Sequence, residues 1–170
     1  MSYTEHKHQA AKQVNCTVIT ISDTRTVETD ASGQLMVALL ERNGHRVLRK
    51  MIVPDEPDAI EAHLREGIAS EDIQAILCNG GTGISVRDRS YEAIEKILDK
   101  RLDGFGELFR MLSYQEIGSA AMMSRAVAGI AGDTIIFSTP GSKNAVRLAM
   151  EQLILPELGH LVWELTKHLT

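Results

Sequence analysis

The sequence predicts an α/β protein, a three-layer, doubly wound and mostly parallel sheet with one antiparallel strand. Three observations predict it. Short β-branched runs alternate with helical stretches along the chain, the loops that follow those runs carry glycine, hydroxyl and carboxylate residues, and one pair of apolar runs is separated only by a tight turn. Alternation implies parallel strands with right-handed crossovers, and the tight turn implies a hairpin, hence one reversed strand.

Residues 14–22 are β-branched and bounded by a polar loop, so they form the first strand. Helix one is expected over 32–43, with Leu35, Leu39 and Leu40 on one stripe and Gly44 placed to end it. Residues 45–53 return as a strand. Pro57 suits a first helical turn, and Ile60, Leu64 and Ile68 mark the inward face of helix two. The third strand is expected over 73–79 and a helix over 90–100, followed by a helical stretch over 106–117 with Leu108, Met111 and Leu112. Residues 126–130 and 134–137 flank Ala131-Gly132-Asp133 as the hairpin. A helix over 143–155 and a last one from Pro156 to His168 complete the chain.

At 170 residues, with 44% hydrophobic and 24% charged residues, the chain is expected to form one domain over 14–170 with a flexible tail over 1–13. A net charge of -5 argues against nucleic acid as a partner. The polar tail has no signal-like apolar region and no run approaches a membrane span, so a cytoplasmic protein with no membrane partner is expected. Cys16 and Cys78 lie in apolar strand-like runs without metal-ligand spacing, which reads as inert core thiols. His6 and His8 fall in the tail and read as solvated side chains.

The densest chemistry lies in the run from Cys78 to Ser90. Gly80, Gly81 and Gly83, with Thr82 between, let the main chain approach a ligand, and a strand-loop-helix passage offers free N–H groups to an anion. Arg87 and Arg89 add positive charge, and Asp88 between them could hold Mg²⁺ or position a nucleophile. A tight turn with solvated charges is the plainer reading. Pro140-Gly141-Ser142 before a helix makes a second phosphate nest, or an ordinary cap at Ser142. In an open α/β sheet, ligands bind beyond the carboxyl ends of the strands, which groups these loops with Ser22, Asp23, Asp30, Ser32, Gly33 and Asp55. Carboxylates at Asp23, Asp30, Asp55 and Asp88 beside phosphate call for a bridging Mg²⁺; taken singly, each could instead be a turn residue or helix cap.

These residues resemble the molybdenum cofactor biosynthesis proteins of the MoaB/MogA type, also similar to the G domains of gephyrin and plant Cnx1. The resemblance rests on Ser22-Asp23-Thr24-Arg25 with Asp30-Ala31-Ser32-Gly33, on Val53-Pro54-Asp55-Glu56, on Gly80-Gly81-Thr82-Gly83 with Arg87-Asp88, on the run from Ser124 to Gly129, and on Pro140-Gly141-Ser142. The stretch from Gly104 to Gly118 looks more like the MoaB branch. Such a resemblance implies binding of molybdopterin and its adenylylation with MgATP, with ATP and molybdopterin as substrates, Mg²⁺ as cofactor and a molybdenum-insertion protein as partner. It assigns catalysis or the metal to Asp55 and Asp88. Substrate contacts are implied at the two glycine loops, at Ser22, Asp23, Asp30, Ser32, Gly33 and Arg87, and at Glu107, Ser113, Ser124 and Arg125, with an exposed first-turn carboxylate favoured by the helix dipole as the alternative for Glu107. A homo-oligomer, trimer or hexamer, is also implied, and the apolar surplus of Phe105, Leu108, Phe109, Met111 and Leu112 is a contact surface for it or ordinary core. A noncatalytic molybdopterin-binding or assembly protein is the alternative function. A flavodoxin-like carrier fits poorly, because aromatic residues make up 4% of the chain and none adjoins the glycine loop.

Overall fold

Strands buried on both faces read as near-continuous apolar runs, and the centre of this sheet is built from three of them. In the computed structural model, which describes residues 10–169, the strands are β1 (Asn15–Ile21), β2 (Arg46–Val53), β3 (Ala75–Asn79), β4 (Lys100–Arg101), β5 (Val127–Ala131) and β6 (Thr134–Thr139). Their order is β2-β1-β3-β6-β5-β4. β1, β2, β3 and β6 pair in parallel, while β5 pairs antiparallel with both β6 and β4. β5 is thus the one reversed strand. Its turn into β6 has Gly132 at a φ of 58° followed by Asp133 at negative φ, the arrangement that a two-residue hairpin with glycine first requires.

The helices are α1 (Ala31–Arg42), α2 (Pro57–Ala69), α3 (Ser90–Ile97), α4 (Asp103–Ile117), α5 (Lys143–Ala149) and α6 (Leu155–Thr166). One face of the sheet, with Val18, Leu77 and Phe137, packs against Met36 and Leu40 of α1, Phe105 and Phe109 of α4, Val146 of α5, Leu158 of α6 and Met150 between those two helices. The Phe105 and Phe137 rings meet edge to face, 5.3 Å between centroids. The opposite face, with Ile19 and Ile76, packs against Ile60 and Leu64 of α2 and Ile94 and Ile97 of α3. Helices on both faces complete the three predicted layers.

Three local departures from the sequence reading occur, and a physical cause is visible for the first and the last. The helix expected to reach residue 100 stops at Ile97, because Asp99 N–H and Leu102 N–H are taken by the Ile130 and Ala128 carbonyls of β5 and the chain extends as β4. α4 starts at Asp103, before the expected residue 106, and runs into a 3₁₀ turn, Gly118–Met123. The break expected at Pro156 is a π turn, Met150–Ile154, joining α5 to α6. Proline offers no N–H to the carbonyl four residues back, and Leu155 N–H reaches the Met150 carbonyl five residues back instead.

Cys16 and Cys78 are buried, and burial pushes both thiols up to about 12. They are inert at neutral pH. Of the expected tail, residues 1–9, His6 and His8 among them, lie outside the described residues, whereas Ala11 N–H donates to the Gly159 carbonyl at 3.0 Å. No helix among the described residues is long and apolar enough to cross a membrane. The apolar surplus of α4 divides: Phe105 and Phe109 belong to the core, whereas Leu108, Met111, Tyr114 and Ile117 are exposed beside Met122 and Met123.

Candidate functional site

Going out from β1, the chain turns one way to reach β2 through α1, and it crosses back through α2 to reach β3 on the other side of β1. The loops after β1 and β3 therefore diverge, which opens a crevice at the carboxyl edge. Four loops converge there.

The glycine loop after β3 is shaped by close approach. Gly80 and Gly81 have φ of 101° and 66°, and a Cβ on Gly80 would stand 2.2 Å from the Ile21 carbonyl oxygen. A Cβ on Gly81 would stand 2.8 Å from Asp55 Oδ2, and one on Gly141 would stand 3.2 Å from Gly80 Cα, so the two glycine loops touch. Gly80 N–H is used by Thr139, whereas the N–H groups of Gly81, Thr82 and Gly83 meet no acceptor among the described residues. Arg125 clamps the loop, donating through Nε to the Gly83 carbonyl at 2.9 Å and through Nη2 to that of Asp88 at 2.8 Å, while pairing with Glu92 and lying over the Tyr91 ring. It acts as scaffold.

The loop after β1 turns on Ser22, whose Oγ accepts from Thr24 and Arg25 N–H. Asp30 caps α1 by accepting from Gly33 N–H at 2.9 Å, and it accepts as well from Thr20 Oγ1 and Lys50 Nζ, each at 2.8 Å. A Cβ on Gly33 would stand 2.1 Å from Asp30 Oδ2, so that glycine serves the cap. Ser32 Oγ and Arg25 Nη2 both donate to the Gly141 carbonyl at 2.7 Å and tie this loop to the last one. Ser142 caps α5 through Ala145 N–H at 3.2 Å.

The loops enclose a cavity of about 490 Å³. Of the residues singled out in the sequence, Ser22, the run Gly80 to Gly83, Asp88, Ser113, Ser124, Pro140, Gly141 and Ser142 line it. Asp23, Asp30, Ser32, Gly33, Asp55, Arg87, Glu107 and Arg125 do not: Asp30, Ser32, Gly33 and Arg125 brace the walls, and Glu107 is exposed on α4. Thr24, Arg25, Phe109, Ile117, Ala121 and Met123 also line the cavity, and the sequence reading gave none of them a substrate contact. Arg25 had a readable signal, a cation in a loop that follows a strand. The apolar wall of Phe109, Ile117, Ala121 and Met123 depends on how α4 lies over β5, which no local pattern encodes.

Beside the cavity, Asp23, Asp55 and Asp88 form an acidic group. Burial pushes the Asp55 carboxyl up, opposed by its bond from Arg89 N–H and reinforced by the charges of Asp88 and Asp23. Asp23 is held below the ordinary carboxylate range by its bonds from Arg87 and from Asp55 N–H. Arg87 also pairs with Glu56 at 2.9 Å and so straps the glycine loop to the loops after β1 and β2. Asp55 Oδ2 and Asp88 Oδ1 accept no hydrogen bond from the described residues. No three described His, Cys, Asp or Glu residues group closely enough to cage a metal, and the carboxylate oxygens open to a cation at this point are Asp55 Oδ2 and Asp88 Oδ1.

A family model described as a probable molybdopterin binding domain matches residues 17–160. The chain belongs to this family, that of the molybdenum cofactor biosynthesis proteins. It is 55% identical over 166 residues to molybdenum cofactor biosynthesis protein B of Bacillus cereus, covering 97% of this chain and 98% of that protein. A crystal structure of a molybdenum cofactor biosynthesis protein B matches with a TM-score of 0.90 at 54% identity, covering 94% of this chain and 99% of that one. The tungsten cofactor synthesizing protein MoaB from Pyrococcus furiosus matches at 0.81 and 37%, over 91% and 98% of the two chains. A MogA structure matches at 0.82 with 25% identity, over 89% and 99%, so the MoaB side of the family is the nearer in sequence.

Asp30 supplies a test of how the walls are braced. Burial raises its carboxyl, but the bonds from Lys50, Gly33 N–H and Thr20 outweigh it and hold the group below its ordinary value. A lowered folded value means that the stabilisation is present above the unfolded pKa of about 3.9 and fades as pH falls through the folded one. Asp30→Asn is expected to cost about 1–3 kcal/mol at pH 7, and the gap from the parent protein in urea unfolding should narrow between pH 5 and pH 2. A gap that stays constant with pH would remove the ion pair from the account.

Proposed function

We propose that the chain binds molybdopterin in this cavity and adenylylates it with MgATP, giving adenylyl-molybdopterin and pyrophosphate. The observation that carries the reading is the wall made by Gly81, Thr82 and Gly83, whose three N–H groups have no acceptor among the described residues in a cavity roomy enough for a pterin phosphate. A phosphate oxygen of the pterin would attack the α-phosphorus of ATP; the new P–O bond forms as the bond to the β-phosphate oxygen breaks and pyrophosphate departs. Asp55 and Asp88 would hold Mg²⁺, which when bound supplies neutralisation of phosphate charge. The chain's own part is to orient both anions, through the glycine loop on one side and the Pro140–Ser142 loop on the other.

One observation favours the second reading, a noncatalytic molybdopterin-binding protein. Asp55 and Asp88 each have a structural task, accepting from Arg89 N–H at 3.1 Å and Ser85 N–H at 3.0 Å. Asparagine at position 88 keeps that bond and loses the charge. Asp88→Asn is therefore expected to cut adenylate formation by on the order of 10²-fold or more with molybdopterin binding near that of the parent protein. Unchanged turnover would take Asp88 out of the mechanism, and binding without turnover in the parent protein would establish the second reading.

The exposed face of Leu108, Met111, Tyr114 and Ile117 supports assembly of identical copies, because it joins the cavity wall at Ile117 and Met123. Sedimentation is expected to give a trimer or a multiple of it. A stable 18.7 kDa monomer at micromolar concentration would contradict this.

A further inference from the structure

The cavity wall holds two charged side chains, Arg25 and Asp88. Arg25 has more hydrogen-bonding capacity than the fold uses. A guanidinium has five N–H donors, and among the described residues this one donates a single hydrogen bond, from Nη2 to the Gly141 carbonyl at 2.7 Å. Its other neighbour, Asp30, stands 3.7 Å away, and that carboxylate is already matched by Lys50 at 2.8 Å and bonded by Thr20 and Gly33 N–H. Arg25 therefore shares the Asp30 charge with the closer Lys50 and brings a positive charge, only partly matched, to the cavity, with its side chain 31% exposed on the same wall as the glycine loop and Ser142.

We propose that Arg25 is the residue that grips the phosphate group of a substrate in this cavity, the bond to Gly141 fixing the guanidinium so that its remaining donors face the ligand. This deepens the reading of molybdopterin and MgATP as substrates and rests on it. Both carry phosphate, and either could supply the group that Arg25 holds. A planar fork meets phosphate oxygens in pairs, so arginine suits the task better than lysine. Ser32 provides the control, because it donates to the same Gly141 carbonyl and carries no charge.

The test is calorimetric titration of the full chain and of Arg25→Gln, Arg25→Lys and Ser32→Ala with pyrophosphate, molybdopterin and MgATP. Arg25→Gln is expected to weaken pyrophosphate and one of the two substrates by roughly 10- to 100-fold, with Arg25→Lys less affected and Ser32→Ala least. Loss confined to molybdopterin makes the pterin phosphate the group held; loss confined to MgATP makes it the nucleotide's. Equal affinities in Arg25→Gln and the parent protein would overturn the proposal while leaving molybdopterin binding intact. A loss in Ser32→Ala as large as in Arg25→Gln would overturn it too, reducing Arg25 to a loop tie. Arg25-dependent pyrophosphate binding without molybdopterin binding would keep the anion grip and sink the proposed substrates. Should Arg25→Gln not fold, Arg25→Lys decides: several-fold weaker binding upholds the paired grip, and unchanged binding refutes it.

Discussion

The carboxyl edge of the sheet depends on two stretches of bare backbone in contact. Gly80 leaves β3 with its Cα against Gly141, and its Cβ position is taken by the Ile21 carbonyl, so three of the four strand-end loops meet at one glycine. No larger residue fits at Gly80 without moving the end of β1. This contact sets the spacing of the two glycine loops, and with it the width of the cavity and the direction of the free N–H groups of residues 81–83. The arginines then secure what the glycines allow: Arg25 ties the first loop to the last, Arg125 fixes the glycine loop from behind, and Arg87 straps it to Asp23 and Glu56.

Beneath that contact runs a buried polar line that a closely packed core would otherwise exclude. Asn79 Nδ2 donates to Thr20 Oγ1 at 3.0 Å, Thr20 donates to Asp30, and Asp30 draws in Lys50 and the first turn of α1. Asn79 Oδ1 has no hydrogen-bond partner among the described residues, a local cost at the end of β3. The line couples the helix that follows β1 to the strand that feeds the glycine loop. Asp30 thus shapes the site from within the wall, while Asp55 and Asp88 keep free carboxylate oxygens beside it.

The strand-helix alternation, the reversed strand and the grouping of the strand-end loops were legible because each is written in local pattern: β-branched runs, a Gly132 turn, and glycines beside apolar strands. The two-residue β4 was not, since residues 98–102 are drawn out of a helical pattern by the β5 carbonyls, a partner distant in sequence. Among the carboxylates the sequence could not separate cap from ligand. Asp30 and Asp88 sit in similar polar loops, and only the structure shows one buried under Lys50 and the other at the cavity wall. Arg25 stood in a sequence motif without a role of its own, and its spare donors show only in the structure, where Lys50 is the closer partner of Asp30.

The central claim is that the pocket between the two touching glycine loops is where molybdopterin binds. Crystals soaked with molybdopterin test it most directly. The account predicts density for the ligand's phosphate against the N–H groups of Gly81, Thr82 and Gly83, with the pterin along the wall of Phe109, Ile117 and Met123. Well-defined ligand density elsewhere on the molecule, with this cavity filled only by water, would contradict it.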